Sequence, residues 1–326
     1  MLPDDPSDPG EEFARDVATG LGNSPKYLQP KYFYDARGSE LFEAITEQPE
    51  YYPTRTEAAI LRRSAPSIAG LMGDTVSLVE LGSGSSVKTT ILLESLLDSA
   101  DEVHYMPIDI SPTILKETAS RLGRHYPELA LTPIPCQYET GLERASTLVA
   151  EDEAVPDRML VLFLGSSVGN MEPDQAIAFL SSIRAQLEEP DALLVGFDLV
   201  KEASVLNAAY NDAAGVTAAF NLNLLARINH ELSGRFDLDR FSHRALFNAA
   251  ASRVEMHLVS RTAQDVPILD LGRDFHFEPG ETIHTENSYK YTRGSIDEYA
   301  DAAGFLVSEI FTDEREWFSL ALLSPI

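Results

Sequence analysis

Met159-Leu-Val-Leu-Phe-Leu164 is an unbroken run of six apolar residues. A strand with one wet face alternates apolar and polar residues, so such a run fits a central strand covered on both faces. The chain around it alternates strand-length and helix-length segments from Thr56 to Val200. Thr56 to Leu71 has apolar residues at helical spacing, and Val76 to Leu81 is a strand that ends in Gly82-Ser-Gly-Ser-Ser86. Leu92 to Leu97 carries the next helical face. Val103 to Ile110 reads as a strand, followed by Ser111-Pro112 as helix cap and first helical residue. Leu129 to Pro135 is a weaker strand, Leu142 to Ala150 a helix, Pro173 to Leu187 a helix, and Ala192 to Leu199 a further strand. Strands alternating with helices imply right-handed crossovers and a parallel, doubly wound sheet.

From Lys201 to Ser288 that rhythm is lost. Val205 to Ser233 looks helical with a break near Gly215, and β-type sequence follows over Ala245 to Thr262, Phe275 to Phe277 and Thr282 to Tyr291. The end returns to the first pattern, with a helix near Ile296 to Ala303 and strands over Phe305 to Phe311 and Trp317 to Leu323, a pair suited to an antiparallel edge. The expected division is therefore 56–200 completed by 290–326, with an α+β cap built from 1–55 and 201–289. The first dozen residues read as an acidic tail.

Charge narrows the partners. The 52 acidic against 25 basic residues give a formal charge of −27, which argues against a nucleic-acid groove or an anionic membrane surface, since both reward clustered Lys and Arg. Only six of the basic residues are lysines, so a salt-tolerant source and an ordinary acidic cytoplasmic protein are both open readings. With one cysteine, Cys136, and seven histidines without ligand spacing, neither a disulfide framework nor a metal site is expected. No signal-peptide pattern or membrane-length apolar run is present, and a cytoplasmic location follows as the expectation.

Chemistry concentrates at strand ends. Val79-Glu-Leu-Gly-Ser-Gly-Ser85 places glycines where a backbone can approach a ligand beside a helix N-terminus. A dinucleotide loop needs a third glycine, and Val87 stands there. A tight turn without a ligand is the plainer alternative. Asp109, at the end of the second strand, can accept hydrogen bonds from two ribose hydroxyls, or simply place charge before the next helix. Gln137 and Tyr138 follow the third strand, where an adenine can be held by an amide and a ring, or where a loop glutamine and a half-buried tyrosine do nothing more. Phe163-Leu-Gly-Ser-Ser-Val-Gly-Asn170 ends the central strand with small residues, leaving room for two ligands. Asn170 can donate and accept, or cap a helix.

These segments occur in order with Lys31-Tyr-Phe-Tyr-Asp-Ala-Arg-Gly-Ser39, Glu50-Tyr-Tyr-Pro-Thr-Arg-Thr-Glu57, Asp212-Ala-Ala-Gly-Val-Thr-Ala-Ala-Phe-Asn221 and Thr285-Glu-Asn-Ser-Tyr-Lys-Tyr291. Together they closely resemble the histidine Nα-trimethyltransferases of ergothioneine biosynthesis, over nearly the whole chain. The resemblance implies a class I methyltransferase-type α/β fold, a doubly wound and mostly parallel seven-stranded sheet with a second α+β substrate-binding domain. It implies S-adenosylmethionine as cofactor at Gly82, Lys88, Asp109, Gln137, Tyr138 and Gly165. It further implies Asn170 and Tyr210 on the substrate carboxylate, Tyr51, Glu286 and Ser288 on the imidazole with Met256 lining that pocket, and Tyr34 near the reacting amine. The family has an acid where this chain has Gln137, so the adenine contact is weaker or differently arranged. Apart from the resemblance, the tyrosines and Met256 read as core, and Glu286 as a solvated surface acid.

The implied reaction is three successive methylations of the α-amine of L-histidine, through its mono- and dimethyl forms, by a monomer. A relative acting on a tryptophan derivative, a binding protein without turnover and a nicotinamide oxidoreductase are the competing readings. Glu286 favours an imidazole over an indole, because indole has no second ring nitrogen to pair with it. The missing third glycine disfavours the oxidoreductase.

Overall fold

Every residue of the strand Met159–Phe163 is buried, and so is every residue of its neighbour Ala192–Asp198. The computed structural model describes residues 9–326. Contacts divide them into Pro53–Val200 with Lys290–Ile326, and Lys201–Tyr289 with the described residues up to Tyr52.

The first of these is a sheet unit. Its strands lie in the order Phe305–Thr312, Phe318–Pro325, Ala192–Asp198, Met159–Phe163, Thr75–Leu81, Glu102–Asp109 and Ala130–Leu131. Pairing is parallel except along Phe318–Pro325, which runs antiparallel to both its neighbours and so forms the expected closing edge. The chain starts in the middle of the sheet, winds outward through Glu102–Asp109, then returns to the other side of Thr75–Leu81. The strand ends at that reversal open a crevice. Leu78, Leu160, Leu162, Leu194 and Leu320 pack on one face with Ile60, Leu61 and Ile68 of helix Pro53–Met72 and Leu92 and Leu96 of helix Val87–Ser99. Val79, Val161, Phe163 and Val195 are buried too, and their alternation with the first set puts them on the opposite face.

The single strand expected from Leu129 to Pro135 is two fragments, Ala130–Leu131 and Ile134–Pro135, both paired with Glu102–Asp109. Pro133 lacks the N–H the ladder needs and divides them. The following helix spans Tyr138–Glu151, earlier than the apolar pattern from Leu142 indicates, because its first turn carries polar residues.

The second unit has a four-stranded sheet in the order Lys26–Tyr27, Thr282–Tyr289, Arg253–Ser260 and Phe241–Asn248, and a separate hairpin of Gln264–Ile268 with Arg273–Phe277. Helices Ala203–Ala209 and Val216–Glu231 are separated at Gly215, whose φ of 75° is the left-handed conformation behind the expected break. Asp212 accepts from the N–H groups of Val216 and Thr217, both at 2.7 Å. The acidic tail expected at the N-terminus divides: residues 1–8 lie outside the described residues, while Glu11 and Glu12 occupy the first turn of helix Pro9–Gly22. Carboxylates there meet the positive end of the helix, and Phe13, Val17 and Leu21 form its buried face.

One irregularity decides which side chains of Thr282–Tyr289 point inward. His284 is opposite His257, but Glu286 is opposite Met256, so Thr285 is an extra residue. Along Arg253–Ser260 the buried residues are Val254, Met256, Leu258 and Ser260. Residues directly opposite share a face. The bulge therefore sets Glu286 and Ser288 on the buried face with Met256 and Val254. A regular strand would present Thr285 and Asn287 instead.

Candidate active site

In the sheet unit, the loop after Thr75–Leu81 is shaped by Gly82 and Gly84, with φ of 68° and 50°. A Cβ on Gly82 would lie 2.9 Å from the Tyr138 hydroxyl, so glycine is required on both conformational and steric grounds. The N–H groups of Gly82 and Ser83 donate to the Ile108 carbonyl at 2.9 and 3.0 Å, tying the loop to the next strand end. There Asp109 accepts from the Gly84 N–H at 3.0 Å and from the Ser111 N–H at 2.9 Å. One bond per carboxylate oxygen leaves each oxygen capacity for another donor. The Ser83 hydroxyl in the same loop is buried with no partner among the described residues, which fits a loop built around a polar ligand.

Gly165, φ 79°, follows the central strand, and its N–H donates to Glu57 Oε1 at 2.7 Å. Glu57 is fully buried and pairs through its other oxygen with Lys88, whose Nζ lies 3.5 Å from where a Gly165 Cβ would be. Gly82, Lys88, Asp109, Tyr138 and Gly165 are thus gathered at neighbouring strand ends. Gln137 is exposed at the N-cap position of helix Tyr138–Glu151, without a side-chain capping bond. The Tyr138 ring packs against Phe163 and Phe179 at centroid distances of 5.6 and 5.9 Å. Burial first, then the Asp109 and Glu139 charges, holds its phenol above the ordinary value and therefore neutral. Asn170 ends the short helix Ser167–Asn170, and the cap position of the next helix belongs to Glu172.

In the second unit, Tyr210 follows helix Ala203–Ala209 and donates through its hydroxyl to Ser288 Oγ at 2.7 Å. Tyr51 meets the Tyr210 ring edge-on at 6.5 Å, Phe42 meets Tyr51 at 6.4 Å, and Tyr34 meets Phe42 at 5.6 Å. Tyr51, Tyr210, Met256, Glu286 and Ser288 form one group, in which Met256, Glu286 and Ser288 are 2%, 7% and 5% exposed. A carboxylate so buried is not a solvated surface acid. Tyr34, at 41% exposure, reaches that group through the Phe42 ring. Sequence reasoning missed Glu57 and Phe42. The first stood within a quoted motif, but nothing in the spacing marks a glutamate as buried.

Glycine turns and an acid with spare acceptor capacity at the ends of parallel strands suit a nucleoside cofactor, and the class of protein is the S-adenosylmethionine-dependent methyltransferases. The profile of histidine-specific, SAM-dependent methyltransferases matches residues 13–325, and the chain belongs to that family. It is 44% identical over 313 residues to the histidine N-alpha-methyltransferase of Mycolicibacterium smegmatis, covering 96% of this chain and 94% of that one. Identity to the Mycobacterium tuberculosis histidine N-alpha-methyltransferase is 41% over 311 residues, 94% of this chain and 93% of that one. The L-tryptophan methyltransferase of Psilocybe serbica is more distant, at 28% over 327 residues, 94% of this chain and 91% of that one.

Proposed function

We propose that the protein methylates the α-amine of L-histidine three times in succession, through the mono- and dimethyl forms, to the trimethylated betaine of ergothioneine biosynthesis. The observation that carries the substrate is Glu286, a carboxylate buried beside Met256 and Ser288 in a chain of the histidine-specific family. A buried carboxylate can accept an imidazole N–H in a charge-assisted hydrogen bond, which an apolar pocket wall cannot do.

The residues that would hold S-adenosylmethionine are Gly82 and Gly165 through their backbone, Lys88, Asp109 at the ribose, and Gln137 with Tyr138 at the adenine. Bound, the cofactor supplies a methyl group already activated on a sulfonium, which leaves positioning and desolvation to the protein. Asn170 and Tyr210 are the proposed donors to the amino-acid carboxylate. Tyr51, Glu286 and Ser288 would read the imidazole. The attacking nitrogen must be neutral, so a proton leaves before each transfer. Tyr34, exposed enough to contact water, is the group proposed to pass that proton to solvent. Tyrosine faces also suit an increasingly methylated ammonium, because cations are attracted to aromatic rings.

The test is incubation with S-adenosylmethionine and a panel of amino acids, read by mass spectrometry for one, two or three added methyl groups. Product from histidine is expected, and product from tryptophan with none from histidine would overturn the substrate. In the same assay Tyr34→Phe should slow the reaction most at low pH. An unchanged rate–pH profile removes Tyr34 from proton transfer.

A further inference from the structure

His243 has no part in the site described above, yet a hydrogen-bonded path leads from it into that site. Its strand, Phe241–Asn248, is antiparallel to Arg253–Ser260, and His243 is directly opposite Leu258. It therefore shares the buried face with Met256 and Glu286. Its Nδ1 is 2.9 Å from the Asn221 amide nitrogen, and its Nε2 is 2.8 Å from the Tyr210 backbone oxygen. The same Asn221 nitrogen is 3.1 Å from the His257 backbone oxygen.

Backbone carbonyls at both ends settle every proton in this path. A carbonyl only accepts, so the Asn221 group facing His257 must be the NH2. That NH2 donates to Nδ1, which must then carry a lone pair, and Nε2 carries the hydrogen that goes to the Tyr210 carbonyl. The imidazole is neutral and in one tautomer. A proton on Nδ1 would set two donors against each other. Burial also holds this histidine below its ordinary value, against the pull of the Tyr210 carbonyl and the Asp212 charge. The cost of the arrangement falls on Asn221, which is fully buried with its side-chain oxygen unpartnered among the described residues. An orphaned buried acceptor of this kind is disfavoured by about 1 to 3 kcal/mol and calls for an explanation.

We propose that His243, locked by Asn221, is a positioning residue for recognition of the amino-acid substrate. It fixes the backbone of Tyr210 at the end of helix Ala203–Ala209, and so aims the hydroxyl that meets Ser288. This rests on the reading of Tyr210 and Ser288 as substrate-binding groups. The histidine acts as a two-ended spacer: it accepts from a helix at one nitrogen and donates to a second helix's terminal carbonyl at the other. No other common side chain does both through a rigid ring.

His243→Leu removes both contacts, whereas His243→Gln can accept through its oxygen and donate through its nitrogen. The leucine variant should raise KM for histidine about tenfold, the effect of losing roughly one buried hydrogen bond, with cofactor affinity and kcat nearly unchanged. The glutamine variant should recover most of that loss. An unchanged KM in the leucine variant, or an equal loss of cofactor affinity, overturns the proposal. Nitrogen NMR of the wild-type protein with labelled histidine supplies a readout that needs neither variant nor substrate. His243 should show a protonated Nε2 and a bare Nδ1 at neutral pH, and the opposite tautomer or a charged ring overturns it. Failure of the wild-type protein to methylate histidine would remove the proposed substrate while leaving the tautomer result to be judged separately.

Discussion

In the sheet unit the functional groups stand at the ends of neighbouring strands and are held by backbone: Gly82 and Ser83 on the Ile108 carbonyl, Asp109 on the N–H groups of Gly84 and Ser111. In the second unit Tyr210, Met256, Glu286 and Ser288 come from distant segments and are held by side chains, a bulge and ring contacts. Backbone geometry tolerates little variation and suits a ligand that never changes. Side-chain geometry can be altered one residue at a time and suits the partner that defines a substrate. On the proposed site roles, the units divide what is common to methyltransferases from what is particular to histidine.

The largest expected effect tests that division in the second unit. Glu286→Ala should weaken histidine binding by on the order of 2 to 5 kcal/mol, because it removes the charged half of a buried pair. Calorimetry should find S-adenosylmethionine affinity almost unaffected, and equal losses for both ligands would erase the division. The converse substitution, Asp109→Ala, should weaken cofactor binding by about 1.5 to 3 kcal/mol, the range for hydrogen bonds to a charged group. Its ranking of amino acids by kcat/KM should match that of the wild type. A changed ranking would give the sheet unit a part in choosing the substrate.

A separate effect, on stability rather than binding, concerns an acid that belongs to the sheet unit's frame. Glu80 is 4% exposed and accepts from the hydroxyls of Thr89 and Tyr105. Burial outweighs those bonds and pushes its carboxyl up to about 7 from the ordinary 4.5. A raised value means the folded state binds the proton more tightly. The stabilisation is complete below about 4.5 and is lost as pH rises through about 7. Denaturant unfolding at several pH values should therefore show a falling slope in the wild type that Glu80→Gln flattens. Parallel curves for the two proteins would count against a shifted Glu80.

The same contrast governs what could be read before the structure. The sheet, with the glycine turns and the acid at its strand ends, was legible because each signal is local: an apolar strand, glycines after it, an acid at the next strand's end. The second unit was legible as residue types but not as an arrangement. Nothing in Thr282 to Tyr291 marks Thr285 as the extra residue, since polar and apolar positions do not shift phase visibly there. His243 and Asn221 stand 22 residues apart and carry no spacing that links them. Glu57 looked like any helix acid, although it is fully buried and holds Lys88 and the Gly165 N–H. Desolvated polar partnerships are set by tertiary packing, which a one-dimensional pattern does not encode.

The bulge at Thr285 also bears on how such a chain changes its diet. Its inward pair is Glu286 and Ser288 only because one residue is left over in the ladder. Losing Ser288, with the ladder closed regularly from His284, would put Thr285 and Asn287 opposite Met256 and Val254, replacing a carboxylate by a hydroxyl and an amide without substituting any residue. On the proposed roles of Glu286 and Ser288, substrate preference is exposed to length changes as well as to point substitutions. Two relatives with nearly identical letters over this strand can present opposite faces to the molecule they read.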